Sequence, residues 1–263
     1  MNDADLATLE AADLAAASVD QAPPTTTTPL NPFPDPASVA PVEPAPEVKP
    51  LEPVATPPAS FNYPIKGFDC YAGVLSAVTL AKAAQAGCKF IIHYYGGPIG
   101  GSSGKDLTKA SAIATTQAGM MVGAVYEAGG AEFSAEQGEE DAKAALEFAA
   151  HVGQPTGSAI YFAVDTGIIA TEGVLAYFGA IAGILRPAGY KVGAYGPGAV
   201  LADTLKAGTV DYDWLGGALG WPGSRTYQEP AIAQGLPGDP YGFGFQIDPD
   251  VAHKEAGFFQ VTA

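Results

Sequence analysis

The sequence predicts an α/β fold: a (β/α)8 TIM-like barrel, irregular in its second half, preceded by a disordered proline-rich N-terminal arm. From about residue 61 onward, short apolar runs rich in β-branched and aromatic residues alternate with helical patterns. This alternation is typical of a parallel sheet covered by helices. Glycine and proline divide the chain at the same place, because residues 1–60 hold 13 of the 23 prolines and none of the 33 glycines.

The arm divides into two segments. Residues 23–60 contain few large apolar side chains and cannot bury enough apolar surface to offset the entropy of ordering, so we expect a disordered, extended linker. Residues 1–22 are acidic and place three leucines at near-helical spacing. Two alternatives stay open for them: a disordered terminus, or a short amphipathic helix over residues 1–20 that docks on a virion or another assembly.

The domain at residues 61–263 contains eight predicted strands. In chain order they are Ile65–Asp69, Phe90–Tyr95, Met121–Glu127, Ala159–Asp165, Lys191–Tyr195, Tyr212–Leu215, Gly242–Ile247 and Gly257–Val261. The clearest helices are Leu75–Ala86, Glu139–Ala150 and Glu172–Leu185, where apolar residues recur at helical spacing and a glycine or proline follows. After Tyr195 the helical patterns fade, so we expect long loops there. An open doubly wound sheet is the alternative to a closed barrel.

Charge and composition exclude several classes of protein. The chain carries 28 acidic and 12 basic side chains, a net charge of −16, which disfavours binding to nucleic acid. Two cysteines are too few for a disulfide-dense scaffold or a four-cysteine zinc site. No apolar run approaches the roughly 18–20 residues of a membrane span, and a secretory signal peptide is not recognisable. We therefore expect synthesis in the cytoplasm, followed by virion association or release.

Three of the predicted strands end in an acid: Asp69, Glu127 and Asp165. Alternation along each strand places these side chains on one face, and parallel α/β folds carry their sites at the carboxyl ends of the strands. If that face points into the barrel, three carboxyls converge at its mouth, where crowding raises pKa values and supplies an acid and a base. Each acid alone is equally well explained as the cap of the next helix.

Other polar and aromatic side chains lie at the same level as the acids. His93, Tyr94 and Tyr95 come from the second predicted strand and Tyr195 from the fifth; of these, His93, Tyr95 and Tyr195 are the candidate substrate-binding residues. Glycoside hydrolysis uses paired carboxyl groups, and aromatic rings offer an apolar surface beside a polar one. The three histidines lack metal-ligand spacing, and the glycine-rich stretch before Lys105 departs from the phosphate-loop pattern. We therefore expect no metal and no cofactor.

A set of motifs resembles one known family. The set comprises Gly67-Phe68-Asp69-Cys70, Tyr94-Tyr95-Gly96, Gly138-x-x-Asp141-Ala142, Ala159-Ile160-Tyr161-Phe162-Ala163-Val164-Asp165 and Gly189-Tyr190-Lys191-Val192-Gly193-Ala194-Tyr195-Gly196. Together the motifs resemble the glycoside-hydrolase-like domain of unknown function found in actinobacterial and phage proteins, a β/α barrel similar to the family 25 lysozymes. The resemblance covers about residues 64–262.

The resemblance implies acid/base chemistry on peptidoglycan or a related cell-surface glycan. It gives Asp69 the role of the first-strand acid and Asp165 that of the first acid in the lysozymes' Asp-x-Glu motif. It also implies that Trp214 and Gln246 lie near the ends of later strands. No acid appears on the predicted last strand, Gly257–Val261.

The sequence departs from the lysozyme pattern at Gly167, which stands where those enzymes carry the proton-donating glutamate. Two functions therefore stay open. In one, the protein is a glycosidase in which Glu127 donates the proton from the neighbouring strand. In the other, it is a catalytically inactive binding or structural module of phage origin, tethered to a virion or another assembly through its N-terminal arm.

Overall fold

The computed structural model describes residues 62–96, 105–127 and 133–262. Within them, eight strands close into a barrel in which each strand neighbours the next one along the chain. The predicted barrel is confirmed, and its closure excludes an open sheet. The predicted N-terminal segments, residues 1–22 and 23–60, lie outside the described residues.

The strands and helices alternate through the first five units. The strands are β1 Ile65–Asp69, β2 Phe90–Tyr95, β3 Met121–Tyr126, β4 Ala159–Ala163, β5 Lys191–Gly196, β6 Tyr212–Leu215, β7 Ile232–Gln234 and β8 Asp248–Ala252. The helices of the described residues are α1 Ala77–Gln85, α2 Lys109–Gln117, α3 Ala135–Val152, α4 Glu172–Leu185 and α5 Gly198–Lys206. None of these helices combines the length and the hydropathy that crossing a membrane requires.

Side-chain caps set where the helices begin. The first four helices each follow a serine or threonine whose hydroxyl accepts a backbone N–H: Ser76, Thr108, Ser134 and Thr171. Such caps satisfy one of the free N–H groups of the first turn. Helix α3 therefore begins before the predicted Glu139, because Ser134 Oγ accepts a 3.2 Å hydrogen bond from the Gln137 amide.

Strands β2, β3 and β4 are buried on both faces. One apolar cluster fills the barrel interior and includes Phe90, Ile92, Tyr161, Trp214 and Phe258. Two further clusters lie between the strands and the outer helices. Burial on both faces explains why these three strands appear as continuous apolar runs and not as an alternating pattern.

The last two strands correct the sequence prediction. Neither Gly242–Ile247 nor Gly257–Val261 forms a barrel strand; β7 and β8 complete the barrel instead. β8 is antiparallel to both of its neighbours, β1 and β7. Its sequence, Asp-Pro-Asp-Val-Ala, has low strand propensity, so its conformation depends on pairing at both edges. Phe259 makes only an isolated antiparallel bridge to Val122.

Candidate functional site at the barrel mouth

A cavity of about 380 Å³ opens at the carboxyl ends of the barrel strands. Its lining combines carboxylates with aromatic rings. The carboxylates belong to Glu127, Asp165 and Asp248, and the rings to Tyr94, Tyr195, Trp214 and Trp221. Strand ends from most of the barrel therefore contribute to one pocket, as expected for the face of a β/α barrel that carries sites.

Asp69, the acid that ends β1, is fully buried next to the cavity lining. Its two carboxylate oxygens accept 2.8 Å hydrogen bonds from the Tyr94 hydroxyl and the Gln234 side-chain amide, which both line the cavity. Burial raises the pKa of Asp69 to about 7 even though these hydrogen bonds favour the charged form. Asp69 therefore positions two lining side chains from behind and is not itself exposed to a ligand.

Asp250 on β8 is a second fully buried carboxyl beside Asp69. Its Oδ1 accepts a 2.9 Å hydrogen bond from Trp214 Nε1, which holds the indole in place. Burial, and then the neighbouring Asp69, raises the pKa of Asp250 far above its ordinary value. Because two adjacent buried carboxylates cannot both carry charge at low cost, the pair retains a proton at neutral pH.

Glu127 follows β3 and forms an ion pair with Lys105. The Lys105 ammonium lies 2.6 Å from Glu127 Oε2 and also sits over the Tyr94 ring, 4.3 Å from its centroid. Neither side chain of the ion pair is highly exposed, at 17% and 27%. The charge-assisted contact with Lys105 therefore engages one of the two Glu127 carboxylate oxygens.

Asp165 and Asp248 both face the open part of the cavity. Asp165 is exposed and Asp248, the first residue of β8, is half-buried. Desolvation raises the pKa of each carboxyl above its ordinary range, and a negative neighbour adds to the shift: Glu127 for Asp165, and Asp165 for Asp248. Both carboxyls at the barrel mouth are therefore protonated more readily than ordinary aspartates, and their different surroundings make one more easily protonated than the other.

Gln234 on β7 connects the aromatic and acidic parts of the site. Its side-chain oxygen accepts hydrogen bonds from the Tyr195 hydroxyl at 2.9 Å and from the Gly217 amide at 3.0 Å. Its amide donates to Asp69. Tyr195 also packs edge-on against Trp214, with ring centroids 4.6 Å apart. The network fixes the orientation of the lining side chains before any ligand enters.

The structure brings most of the sequence-predicted site residues together. Glu127, Asp165, Tyr195 and Trp214 all line the cavity, and Asp69 lies behind it. The acid that seemed absent from the last strand is present, because β8 starts at Asp248 and not at Gly257.

Three predicted residues lie elsewhere. Tyr95 points outward, stacks on Phe148 at 5.2 Å and donates a 2.8 Å hydrogen bond to Gln154. His93 shares that outward direction by strand alternation and is 1% exposed, and burial lowers its pKa to about 4, so the ring is neutral at pH 7. Gln246 is exposed in the loop before β8, and Gln234 occupies the position expected for it.

Sequence reasoning missed four residues of the site: Lys105, Trp221, Gln234 and Asp248. It also did not separate Tyr94 from Tyr95, because a strand such as β2 that is buried on both faces does not show which face points inward. Asp248 was missed because the acid-proline-acid start of β8 disfavours a strand.

The residues that the structure describes contain no group of three or more His, Cys, Asp or Glu side chains arranged to hold a metal ion. The buried carboxylates behind the cavity, Asp69 and Asp250, accept hydrogen bonds from tyrosine, glutamine and tryptophan donors, and Glu127 in the lining pairs with Lys105. The arrangement can accept hydrogen bonds from a polyhydroxylated ligand while the rings cover its apolar faces.

Comparison with known proteins places this barrel among related folds. Uncharacterized protein YbfG of Bacillus subtilis (strain 168) is 32% identical over 127 residues, which are 43% of this chain and only 17% of that relative. The Tat-secreted protein Rv2525c of Mycobacterium tuberculosis, crystallised with L-tartrate, matches with a TM-score of 0.62 at 21% identity, over 73% of this chain and 98% of the other.

The fold is also shared with the modular autolysin LytC from Streptococcus pneumoniae in complex with a synthetic peptidoglycan ligand, with a TM-score of 0.52 and 16% identity. That match covers 73% of this chain and 47% of LytC. The profile of the Rv2525c-like, glycoside hydrolase-like domain matches residues 81–234, more than half of the chain. The resemblance inferred from the motifs is thereby confirmed, and the chain belongs to the Rv2525c-like family of glycoside hydrolase-like domains.

Proposed function

We propose that the protein binds peptidoglycan or a related cell-surface glycan in the cavity at the barrel mouth. The observation that carries the proposal is that one cavity combines four aromatic rings with three carboxylates. Rings pack against the apolar faces of sugars, and carboxylates accept hydrogen bonds from their hydroxyls. The peptidoglycan ligand named for LytC, a protein of the same fold, supports this ligand class.

The geometry favours binding over lysozyme-type hydrolysis. Gly167 has no side chain where the related lysozymes carry their proton donor. Glu127, the candidate replacement, forms an ion pair with Lys105 at 2.6 Å. Asp69 is fully buried and does not line the cavity. None of these three positions therefore presents an acid that lines the cavity without a cationic partner.

Hydrolysis is the second candidate function, and one observation favours it. Asp165 and Asp248 face the same cavity, both pKa values are raised by desolvation, and Asp165 raises that of Asp248 further, so the pair can offer one acid and one carboxylate. In this mechanism the protonated member donates to the glycosidic oxygen while the charged member stabilises the developing positive charge on the sugar.

Cosedimentation with purified peptidoglycan, followed by a clearing assay on the same walls, distinguishes the two functions. We expect wild-type protein to sediment with the walls without clearing them, and Asp165→Asn and Glu127→Gln to sediment less. Asp203→Asn, an exposed acid on α5, is the matched control. No sedimentation across a broad panel of walls would contradict binding, while clearing that is lost in both Asp165→Asn and Asp248→Asn would establish hydrolysis.

We also propose that residues 1–20 attach the domain to a virion or another assembly, with residues 23–60 as spacer. Nine acidic side chains, one lysine and 13 prolines within residues 1–60 support an extended, solvated connection. On this proposal the protein is made in the cytoplasm and displayed on a particle of phage origin. Deletion of residues 1–60 should abolish particle association and leave the barrel folded by circular dichroism; retained association would refute the attachment.

A further inference from the structure

Trp221 lines the cavity from a tightly held turn between β6 and β7. Its backbone amide donates to the Ala218 carbonyl at 2.9 Å, and its carbonyl accepts from the Ser224 amide at 3.1 Å. The turn is anchored to the start of α5, because the Ala199 amide donates to the Pro222 carbonyl at 3.0 Å and the Gly198 amide to Ser224 Oγ at 3.1 Å. The position of the indole is therefore set by backbone contacts.

Two glycines from different strand ends contact the two edges of this indole. A Cβ atom placed on Gly167, after β4, would lie 2.9 Å from Trp221 Cδ1. A Cβ atom on Gly216, after β6, would lie 2.8 Å from Trp221 Cζ3 and 3.2 Å from the Tyr195 hydroxyl. Both distances are shorter than carbon atoms tolerate without displacement. The indole therefore fills a slot that exists only because residues 167 and 216 have no side chain.

The absence of an acid at residue 167 and the position of the Trp221 indole are therefore linked. A glutamate at residue 167 would need the volume that Trp221 occupies, so an acid there and the indole in its present position exclude each other. Trp221 remains partly exposed and lines the cavity, and its ring lies 6.4 Å from that of Tyr195 at an interplanar angle of 79°. The cavity has an aromatic surface where a lysozyme has an acid.

We propose that Trp221, seated on Gly167 and Gly216, is the specificity-determining residue of the cavity and stacks on the apolar face of one sugar ring of the ligand. The inference rests on the proposed function of the cavity as a glycan site. It adds that Gly167 is needed for full affinity, since a side chain there displaces the indole.

A double-mutant cycle in full-length protein tests this, with soluble peptidoglycan fragments as ligand and affinity as the measurement. We expect Trp221→Ala to weaken binding roughly tenfold or more, about the effect of losing one aromatic contact. Gly167→Ala should weaken binding several-fold in the wild-type background and have no effect in the Trp221→Ala background. Leu219→Ala, an exposed apolar side chain on the same turn, is the matched control and should bind normally.

Tryptophan fluorescence measures displacement of the indole independently, without a ligand. The chain has two tryptophans, and Trp214 is 1% exposed. We therefore expect Gly167→Ala to shift the emission maximum to longer wavelength in the wild-type background and not in the Trp221→Phe background. This difference would report displacement of the Trp221 indole. Unchanged affinity of Trp221→Ala, or additive effects in the cycle, would overturn the inference while the proposed function stands. No binding by wild-type protein would instead overturn the proposed function, and the sugar contact with it.

Discussion

Lys105 Nζ and Glu127 Oε2 lie 2.6 Å apart at the mouth of the barrel, so the acid that follows β3 is neutralised by a lysine from the segment before α2. The same ammonium lies over the Tyr94 ring, and Tyr94 in turn donates to Asp69. One lysine therefore orders two of the residues that line the cavity. Its removal should affect both stability and the geometry of the site.

Lys105→Met is expected to lower the free energy of unfolding by about 1 kcal/mol, because the ion pair is shielded from solvent more than a surface pair. Glu127→Gln should cost a similar amount, and the double variant should cost less than the two together. Urea denaturation of the four proteins measures the coupling. Lys143→Met, which removes an exposed α3 ion pair with Glu139, is the control and should change little; a coupling near zero at Lys105 would contradict the ion pair's role.

The raised pKa of Asp69 predicts that stability falls as pH rises. The pKa of Asp69 is about 7 in the folded state, whereas the unfolded chain releases this proton near pH 4, so stability decreases across that window. The still higher pKa of the adjacent Asp250 extends the decrease to higher pH. The buried Asp69 carboxyl should contribute on the order of a few kcal/mol to this decrease. Urea denaturation from pH 4 to pH 8 should show a shallower pH dependence for Asp69→Asn than for wild type.

Asp203→Asn is the control for that experiment, because this α5 acid is exposed and its removal changes net charge by the same amount. Its pH dependence should parallel that of the wild type. Stability that rises between pH 4 and pH 7, or an Asp69→Asn profile as steep as the wild type, would be inconsistent with a raised pKa for the buried Asp69.

Asp165→Asn should lower the pKa of Asp248. Asp165 is a source of the raised Asp248 pKa, second to burial, and removing a like charge makes ionisation of the remaining carboxyl easier. Carbon-13 NMR titration of aspartate carboxyls measures the shift directly. Glu139→Gln removes an equal charge from the exposed face of α3 and should leave the Asp248 titration unchanged, so equal shifts in the two variants would exclude a specific Asp165–Asp248 interaction.

Gly193→Ala should destabilise the barrel by about 2–3 kcal/mol, the usual range for overpacking a core. A Cβ atom on Gly193 of β5 would collide with the Tyr161 ring. That ring cannot move aside easily, because its hydroxyl donates a 2.8 Å hydrogen bond to the Ala256 carbonyl and its edge packs on Trp214. Thermal and urea denaturation measure the loss.

Gly183→Ala is the matched control, since Gly183 lies on α4 with nothing within 4 Å of an added Cβ atom. It should leave stability unchanged or raise it by up to about 1 kcal/mol, because alanine favours the helix more than glycine does. A Gly193→Ala protein as stable as this control would show that the barrel interior adapts around Tyr161.

The strands of the barrel differ in how accurately their positions were predicted from the sequence. The first six strands were predicted within about one or two residues, since each is an apolar run between helix or turn signals. β7 and β8 were missed because they are held by pairing with distant strands: β8 contains a proline and two aspartates, yet both of its edges are paired. Local composition carries little information about such long-range pairing.

The candidate site divides in the same way. Glu127 and Asp165 were identified because each follows a recognisable strand and alternates with an inward-facing residue. Tyr95 was chosen over Tyr94 because β2 is buried on both faces, which removes the signal that distinguishes inside from outside. Trp221 was missed because its position depends on the absence of side chains at Gly216, in the same β6–β7 connection, and at Gly167, which follows the non-neighbouring strand β4.

The sequence by itself determined the α/β class, the alternation of strands and helices through β6, and the acids at strand ends, because these depend on local periodicity. The tertiary structure alone decided that β8 closes the barrel, that Asp69 is buried next to Asp250, and that Gln234 bonds to an acid 165 residues away. Contacts at such separation depend on how strands pair and which faces turn inward. Those choices are made by the packing of the whole barrel and not by any local segment.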